Sequence, residues 1–167
     1  MDIALKWDPE KWEADIVLAG ADLLGDDSLE TSIIISLFAD RQAEPDDVLP
    51  NEDPNHPGGG DRRGWWGDWY SPDMLARQQA IPGTVSAPAQ RIGSRLWLLA
   101  RSKQLPSVVS DAQQYGQEAL QWLVDSGIAS SVTVTAAVVR PGMLGLGVQI
   151  ARNRAAPQRY DFIWGAA

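Results

Sequence analysis

Hydrophobic and polar positions alternate towards both ends of the chain and follow helical spacing in between. In residues 2–7 and again in 13–18 apolar and polar side chains partly alternate, with Asp8-Pro9-Glu10 between them, which predicts an N-terminal β-hairpin. Over residues 28–40 two signals compete. Asp27 followed by Glu30 reads as a capping-type helix start, whereas Ile33-Ile34-Ile35 favours a strand. Leu29, Ile33, Ser36 and Leu37 share one helical face, widened by Ile34 and Phe38, so a helix is the expectation. Residues 93–101 read as a short, mostly buried helix with Ser94 near its N-cap. Ser107 opens a further helix, in which Val108, Ala112, Tyr115, Ala119, Trp122 and Leu123 recur at three-to-four spacing until Gly127 stops it. From Ser131 the period falls to two. Val132, Val134, Ala136 and Val138 alternate with their neighbours, Arg140-Pro141-Gly142-Met143 turns the chain, and residues 144–152 and 159–164 supply two more strands. The predicted class is α+β: an N-terminal β-hairpin, a helix, a long Pro/Gly/Trp-rich loop, and two helices packed on a C-terminal three-stranded antiparallel meander.

The 167 residues fit one domain over 1–167, with 44–90 as an extended loop insertion. That insertion holds seven prolines and six glycines, a level at which irregular structure is expected. Yet Trp65, Trp66, Trp69 and Tyr70 crowd into it, which is not the composition of a solvated linker, so the loop is expected to pack onto something. The absence of cysteine excludes disulfides, thiol catalysis and iron–sulfur ligation. No apolar run approaches the ~20 residues that span a bilayer, and the acidic start lacks the basic region of a signal peptide. A soluble protein made in the cytosol is expected.

Charge is unevenly spread: residues 1–60 hold 15 Asp and Glu against 3 Lys and Arg, whereas residues 61–167 hold 7 against 11. The acidic part would repel a polyanion and the rest has no dense basic cluster, so nucleic acid is not an expected partner. Two oppositely charged regions suit packing against neighbours of complementary charge, or simply form two solvated faces.

Candidates for chemistry are few. His56, the single histidine, lies between Asn55 and Pro57 and reads as a solvated loop residue, because a metal or acid–base role needs rigid convergent partners. A serine triad would need that same histidine, and no Gly-x-Ser-x-Gly occurs. Gly58-Gly59-Gly60 lacks the Gly-Lys-Ser/Thr of a phosphate loop and reads as a hinge. Carboxylates abound at Glu44, Asp46, Asp47, Glu52 and Asp53, but a catalytic acid needs an apolar wall to raise its pKa, and these sit among Pro, Asn and other acids. The expectation is no enzyme, with no catalytic residue, cofactor or metal.

Interaction residues are better supported. Arg62, Arg63, Trp65, Trp66 and Trp69 have the composition of a protein interface, with intramolecular packing and a sugar-stacking platform as the other readings. The strand over 144–152 carries Gly145 and Gly147 and few charges, and an unprotected edge invites a further strand. Leu144, Leu146, Val148 and Ile150 are therefore candidate interface residues for strand addition, an internal meander strand being the alternative. On the first reading, proline at Leu146 or Val148 blocks pairing with a partner and leaves the monomer folded.

The order of motifs adds a resemblance. Ser36-Leu37-Phe38-Ala39-Asp40-Arg41-Gln42-Ala43, a polar loop, Asp61-Arg62-Arg63-Gly64-Trp65-Trp66-Gly67-Asp68, then Arg91-Ile92-Gly93-Ser94-Arg95-Leu96-Trp97-Leu98-Leu99 resembles the small baseplate proteins of Mu-like contractile-tailed phages. These are similar in turn to the baseplate wedge or sheath-initiator proteins, sometimes labelled lysozyme-like, with which Gly93-Ser94-Arg95-Leu96 shares a Gly-Ser-x-Leu step. The wider group carries an Arg-Pro-(Asp/Glu)-(Phe/Tyr) element before that step. Ala89-Gln90-Arg91-Ile92 stands there instead, so no role of its acidic residue carries over. The resemblance implies a structural wedge component of the virion tail baseplate, made in the host bacterial cytoplasm and present in six copies. Its implied partners are other wedge and hub proteins, the tail sheath subunit and the tail tube, with no membrane or nucleic acid. Sheath assembly would be templated by strand addition at the C-terminal meander; a peptidoglycan hydrolase of the tail tip and a carbohydrate-binding tail module are the alternatives.

Overall fold

A computed structural model describes residues 2–26, 28–50, 55, 60–64, 92–100, 106–153 and 155–165. In chain order these form β1 (Asp2–Ile3), β2 (Leu5–Asp8), β3 (Glu13–Ile16), β4 (Leu18–Ala19), β5 (Asp22–Leu23), β6 (Gly25–Asp26) and α1 (Glu30–Phe38). A 3₁₀ turn, Leu96–Leu99, precedes α2 (Pro106–Leu120), α3 (Trp122–Asp125), β7 (Ser131–Arg140), β8 (Met143–Ala151) and β9 (Gln158–Gly165). The class is α+β, as the periodicity predicts.

The N-terminal hairpin is β2 with β3, Asp8 standing opposite Glu13. Its turn is held by Asp8, whose carboxylate accepts the Glu10 N–H at 2.9 Å and the Lys11 N–H at 3.3 Å; the Glu10 bond is the main cause of its lowered pKa. The alternation around this hairpin is only partial because its outer ends peel away: β1 pairs with β6, and β4 with β5. The three ribbons meet in a triangle of backbone hydrogen bonds, Ala4 N–H to Leu24 C=O (2.8 Å), Leu24 N–H to Val17 C=O (2.9 Å) and Val17 N–H to Ala4 C=O (3.0 Å).

Helix α1 resolves the conflict between cap and isoleucine triplet. Ile33 and Ile34 point into the core while Ile35 is exposed, the outcome of a 3.6-residue period rather than of a strand. The capping carboxylate is Asp26, which accepts the Thr31 N–H at 2.9 Å and the Ser28 N–H and hydroxyl at 2.7 and 2.6 Å. The expected cap, Asp27, lies outside the described residues. Burial pushes the Asp26 carboxyl up, but the hydrogen bonds from Ser28 and Thr31 outweigh it and hold it at about 2, against an ordinary 3.8. Because the folded value is the lower one, Asp26 stabilises the fold above the unfolded pKa, and that contribution fades as pH falls from about 4 to about 2. Asp26→Ala should cost ~1 to 2 kcal/mol at pH 7, allowing for solvent screening, and clearly less at pH 2, where about half of the Asp26 carboxyls are protonated. Urea denaturation at the two pH values checks this.

The C-terminal sheet has the order β7-β8-β9, all antiparallel. Val132, Val134, Leu144, Leu146, Val148, Ile150 and Phe162 are buried on its inner face, against Ile33, Ile34 and Leu37 of α1 and Val108, Ala112, Ala119 and Leu120 of α2. Sequence spacing put Tyr115 and Trp122 on that helical face, where they are half-buried; Gly116 and Leu120 are the buried neighbours it missed. Gly116 lets α2 lie close on the sheet, since a Cβ there would come within 3.0 Å of Val134 Cγ1. The N-terminal ribbon joins the core through Trp7, which stacks on Phe38 at 3.8 Å between ring centroids and donates its indole N–H to Ile163 C=O at 2.8 Å. Residues 93–101 hold a 3₁₀ turn rather than the expected helix, with Leu96, Trp97, Leu98 and Leu99 all buried as expected.

Candidate functional site

The strand expected to present an edge is in the middle of the sheet. Strand β8 is paired along its length with β7 on one side and β9 on the other, so it has no free ladder edge. Leu144, Leu146, Val148 and Ile150 are each no more than 1% exposed. This corrects the strand-addition reading of those four residues, because two occupied ladders and a buried face leave nothing for a partner to reach. The glycines that suggested an approaching backbone are crowded from within: a Cβ on Gly145 would meet Val139 at 2.7 Å, and one on Gly147 would meet Thr135 Oγ1 at 2.8 Å.

The free edges belong to β7 and β9, and each is partly covered. In antiparallel pairing the N–H and C=O of one residue point to the same side, and that side alternates. On β7, Gln117 of α2 occupies the outer edge as a neighbouring strand would, donating to Val132 C=O at 2.9 Å and accepting the Val134 N–H at 3.1 Å. By the same alternation the backbone groups of Ala136 and Val138 also point outward, and among the described residues nothing pairs with them. Val138 and Val139 are 45% and 56% exposed. On β9, the Trp7 indole covers Ile163, Gly165 lies against Trp12, and the outer positions Arg159 and Asp161 carry a charged pair at 2.9 Å, a common protection of sheet edges. Among the described residues the outer half of β7 is thus apolar and unprotected. Nothing in the sequence marks Gln117, and the apolar run Ala136-Ala137-Val138-Val139 reads as a strand end covered on both faces, whereas only Ala136 packs against the core.

Arg62 and Arg63 serve intramolecular contacts. Arg62 donates to Glu44 C=O, and Arg63 pairs with Asp40 at 2.6 Å while lying 4.8 Å from the Trp97 ring centroid. Trp65, Trp66 and Trp69 lie outside the described residues, as do His56, Glu52 and Asp53. The acidic segment is tied down further by Arg95, which reaches Asp47 at 2.8 Å and Glu118 at 2.7 Å and lies over Tyr115. Burial pushes the Glu118 carboxyl up, but hydrogen bonds from Gln114 and Arg95 leave it below its ordinary value. Glycoside hydrolysis asks the reverse of its proton donor, a carboxyl raised by an apolar wall. Among the described residues no group of three His, Cys, Asp or Glu side chains is placed to hold a metal ion, and no helix is long and apolar enough to cross a membrane.

The Gly-Ser-x-Leu step has a structural meaning. Gly93 has φ 95°, and a Cβ there would lie 2.3 Å from Ala39 C=O. Ser94 is bound to the end of α1 on three sides: its hydroxyl donates to Leu37 C=O, its N–H to Ala39 C=O at 2.9 Å, and its C=O accepts from Arg41 N–H at 3.0 Å. The step closes the C-terminus of α1 and starts the buried turn.

The described residues thus form helices packed on a small antiparallel sheet, with one apolar outer strand end on β7. A family profile described as Phage protein GP46 matches residues 29–157. The chain is 37% identical over 161 residues to the baseplate protein gp46 of Escherichia phage Mu, covering 96% of this chain and 94% of that one. It is 39% identical over 149 residues to the Mu-like prophage FluMu protein gp46 of Haemophilus influenzae, covering 89% and 85%. No solved structure matches. The chain belongs to the phage GP46 family of Mu-like phage baseplate proteins.

Proposed function

We propose that this protein is a wedge component of a contractile phage tail baseplate and that it templates the first sheath subunits by strand addition on β7. The observation that carries the reading is the outward-facing backbone of Ala136 and Val138, uncovered among the described residues, beside exposed Val138 and Val139. Main-chain hydrogen bonds there would bind an extended segment of a neighbour without a side-chain code. Gln117 sets the limit of such pairing by filling the Val132–Val134 stretch. The single-domain organisation with 44–90 as an insertion, the six copies, and the wedge, hub, sheath and tube partners belong to the same proposal. So does a place in the virion tail after synthesis in the host cytoplasm.

Ala136→Pro tests it. The lost N–H faces outward, so the ladder to β8 stays intact and the monomer should melt within about 3 °C of the parent. In a gene-deleted phage complemented with this variant, tubes lacking sheath are the expected result. Normally sheathed tails containing the folded variant would overturn the edge assignment.

A further inference from the structure

The N-terminal ribbons expose several large apolar side chains. Leu18 is 67% exposed, Ile16 49%, Leu23 47%, Ile3 43% and Leu24 42%. Leu18 and Leu23 stand directly opposite each other across β4 and β5, so they form one apolar pair on a ribbon whose every residue is exposed. The base of this arm is firmly held. Thr31 Oγ1 accepts the Leu5 N–H at 3.0 Å and donates to Ile3 C=O at 3.1 Å, and Trp7 stacks on Phe38. Among the described residues, β4 and β5 make their main contacts with each other. A lone two-stranded ribbon is marginal in water, and one that spends leucines on solvent gains nothing from them until a second surface covers it.

Charge narrows the occupant. Residues 1–27 hold eight carboxylates against two lysines. Such an arm is repelled by anionic lipid and by nucleic acid, and it attracts a protein face in which Lys and Arg surround an apolar strip. A second copy of this chain fits poorly. Its arginines in the described body are largely engaged at home, Arg41 with Glu44, Arg63 with Asp40, Arg95 with Asp47 and Glu118, and Arg159 with Asp161.

We infer that the β4–β5 arm, through the cross-strand pair Leu18 and Leu23 on an acidic N-terminal segment, is a docking surface for a different protein that presents a basic-rimmed apolar strip. The inference rests on the assembly reading above only in placing that partner in the same particle. It uses a surface at the opposite end of the chain from β7.

The test is complementation of a gene-deleted phage with Leu18→Ser/Leu23→Ser, together with Asp15→Lys/Asp22→Lys. All four side chains are exposed, so both purified variants should keep the parental melting temperature within about 2 °C. Each should lower incorporation into tail particles by about tenfold or more. A photo-activated cross-linker at Leu18 in assembled particles should join a different protein through a peptide containing Lys or Arg. Wild-type titre from both folded variants would overturn the inference, as would cross-linking only to a second copy or to an acidic peptide. If either variant fails to fold, the cross-link alone decides. Deletion that leaves complete tails defeats the assembly reading itself, whereas deletion that abolishes tails and is rescued by the variants defeats only this inference.

Discussion

Leu146→Pro is expected to leave no folded protein at room temperature. Leu146 is 1% exposed and stands between Ala136 of β7 and Phe162 of β9. The alternation that turns Ile163 C=O outward to Trp7 places the Leu146 N–H in the β8–β9 ladder. Proline there deletes a central ladder bond, puts ring atoms where the β9 backbone lies, and empties a leucine site in the core. Truncating a buried leucine alone costs about 2 to 5 kcal/mol, and the lost ladder bond adds to it. The sum approaches the whole stability of a small domain, about 5 to 15 kcal/mol. Soluble yield and far-UV circular dichroism check it. A folded Leu146→Pro monomer would mean that β8 is not the central strand. The contrast with Ala136→Pro is the point: the two residues are cross-strand neighbours, yet one N–H lies inside the sheet and the other at its rim.

Gly93→Ala is expected to lose about 3 kcal/mol or more, a fall of roughly 6 to 12 °C in melting temperature. The backbone at φ 95° is strained for any residue with a Cβ, and that Cβ would sit 2.3 Å from Ala39 C=O. The obstacle is backbone held by Ser94, so it cannot swing aside as a side chain would. Differential scanning calorimetry measures the effect. A loss under 1 kcal/mol would mean that the Gly-Ser step does not clamp α1 as described.

Most of the fold was legible because its elements bury a single face. The α2 periodicity and the three C-terminal strands follow from burial at fixed spacing, and α1 prevails over a strand on the same ground. The order of the C-terminal strands was legible as well, because three consecutive strands with short connections make a meander with 144–152 in the middle; only the edge reading of that strand failed. An apolar, glycine-bearing strand has the same pattern at an edge and at the centre of a sheet, and the helices that cover the inner face leave no trace in its own sequence. The glycines misled because Gly145 and Gly147 answer to Val139 and Thr135 across one ladder rather than to a partner chain. The N-terminal ribbons were only half legible, since the junction at Ala4, Val17 and Leu24 is made by backbone groups that any residue supplies. The Gly-Ser step is legible as a motif, but its reason lies in the position of Ala39. Arg62 and Arg63 had the composition of a contact surface, and composition does not say whether the partner is another chain or Asp40 and Glu44 of the same one.

The central claim is that this chain builds the tail. Negative-stain microscopy of lysates from the parent phage or prophage with the gene deleted tests that claim most directly. Missing baseplates, or tubes without sheath, are the predicted result. Complete sheathed tails that fail only at infection would contradict it.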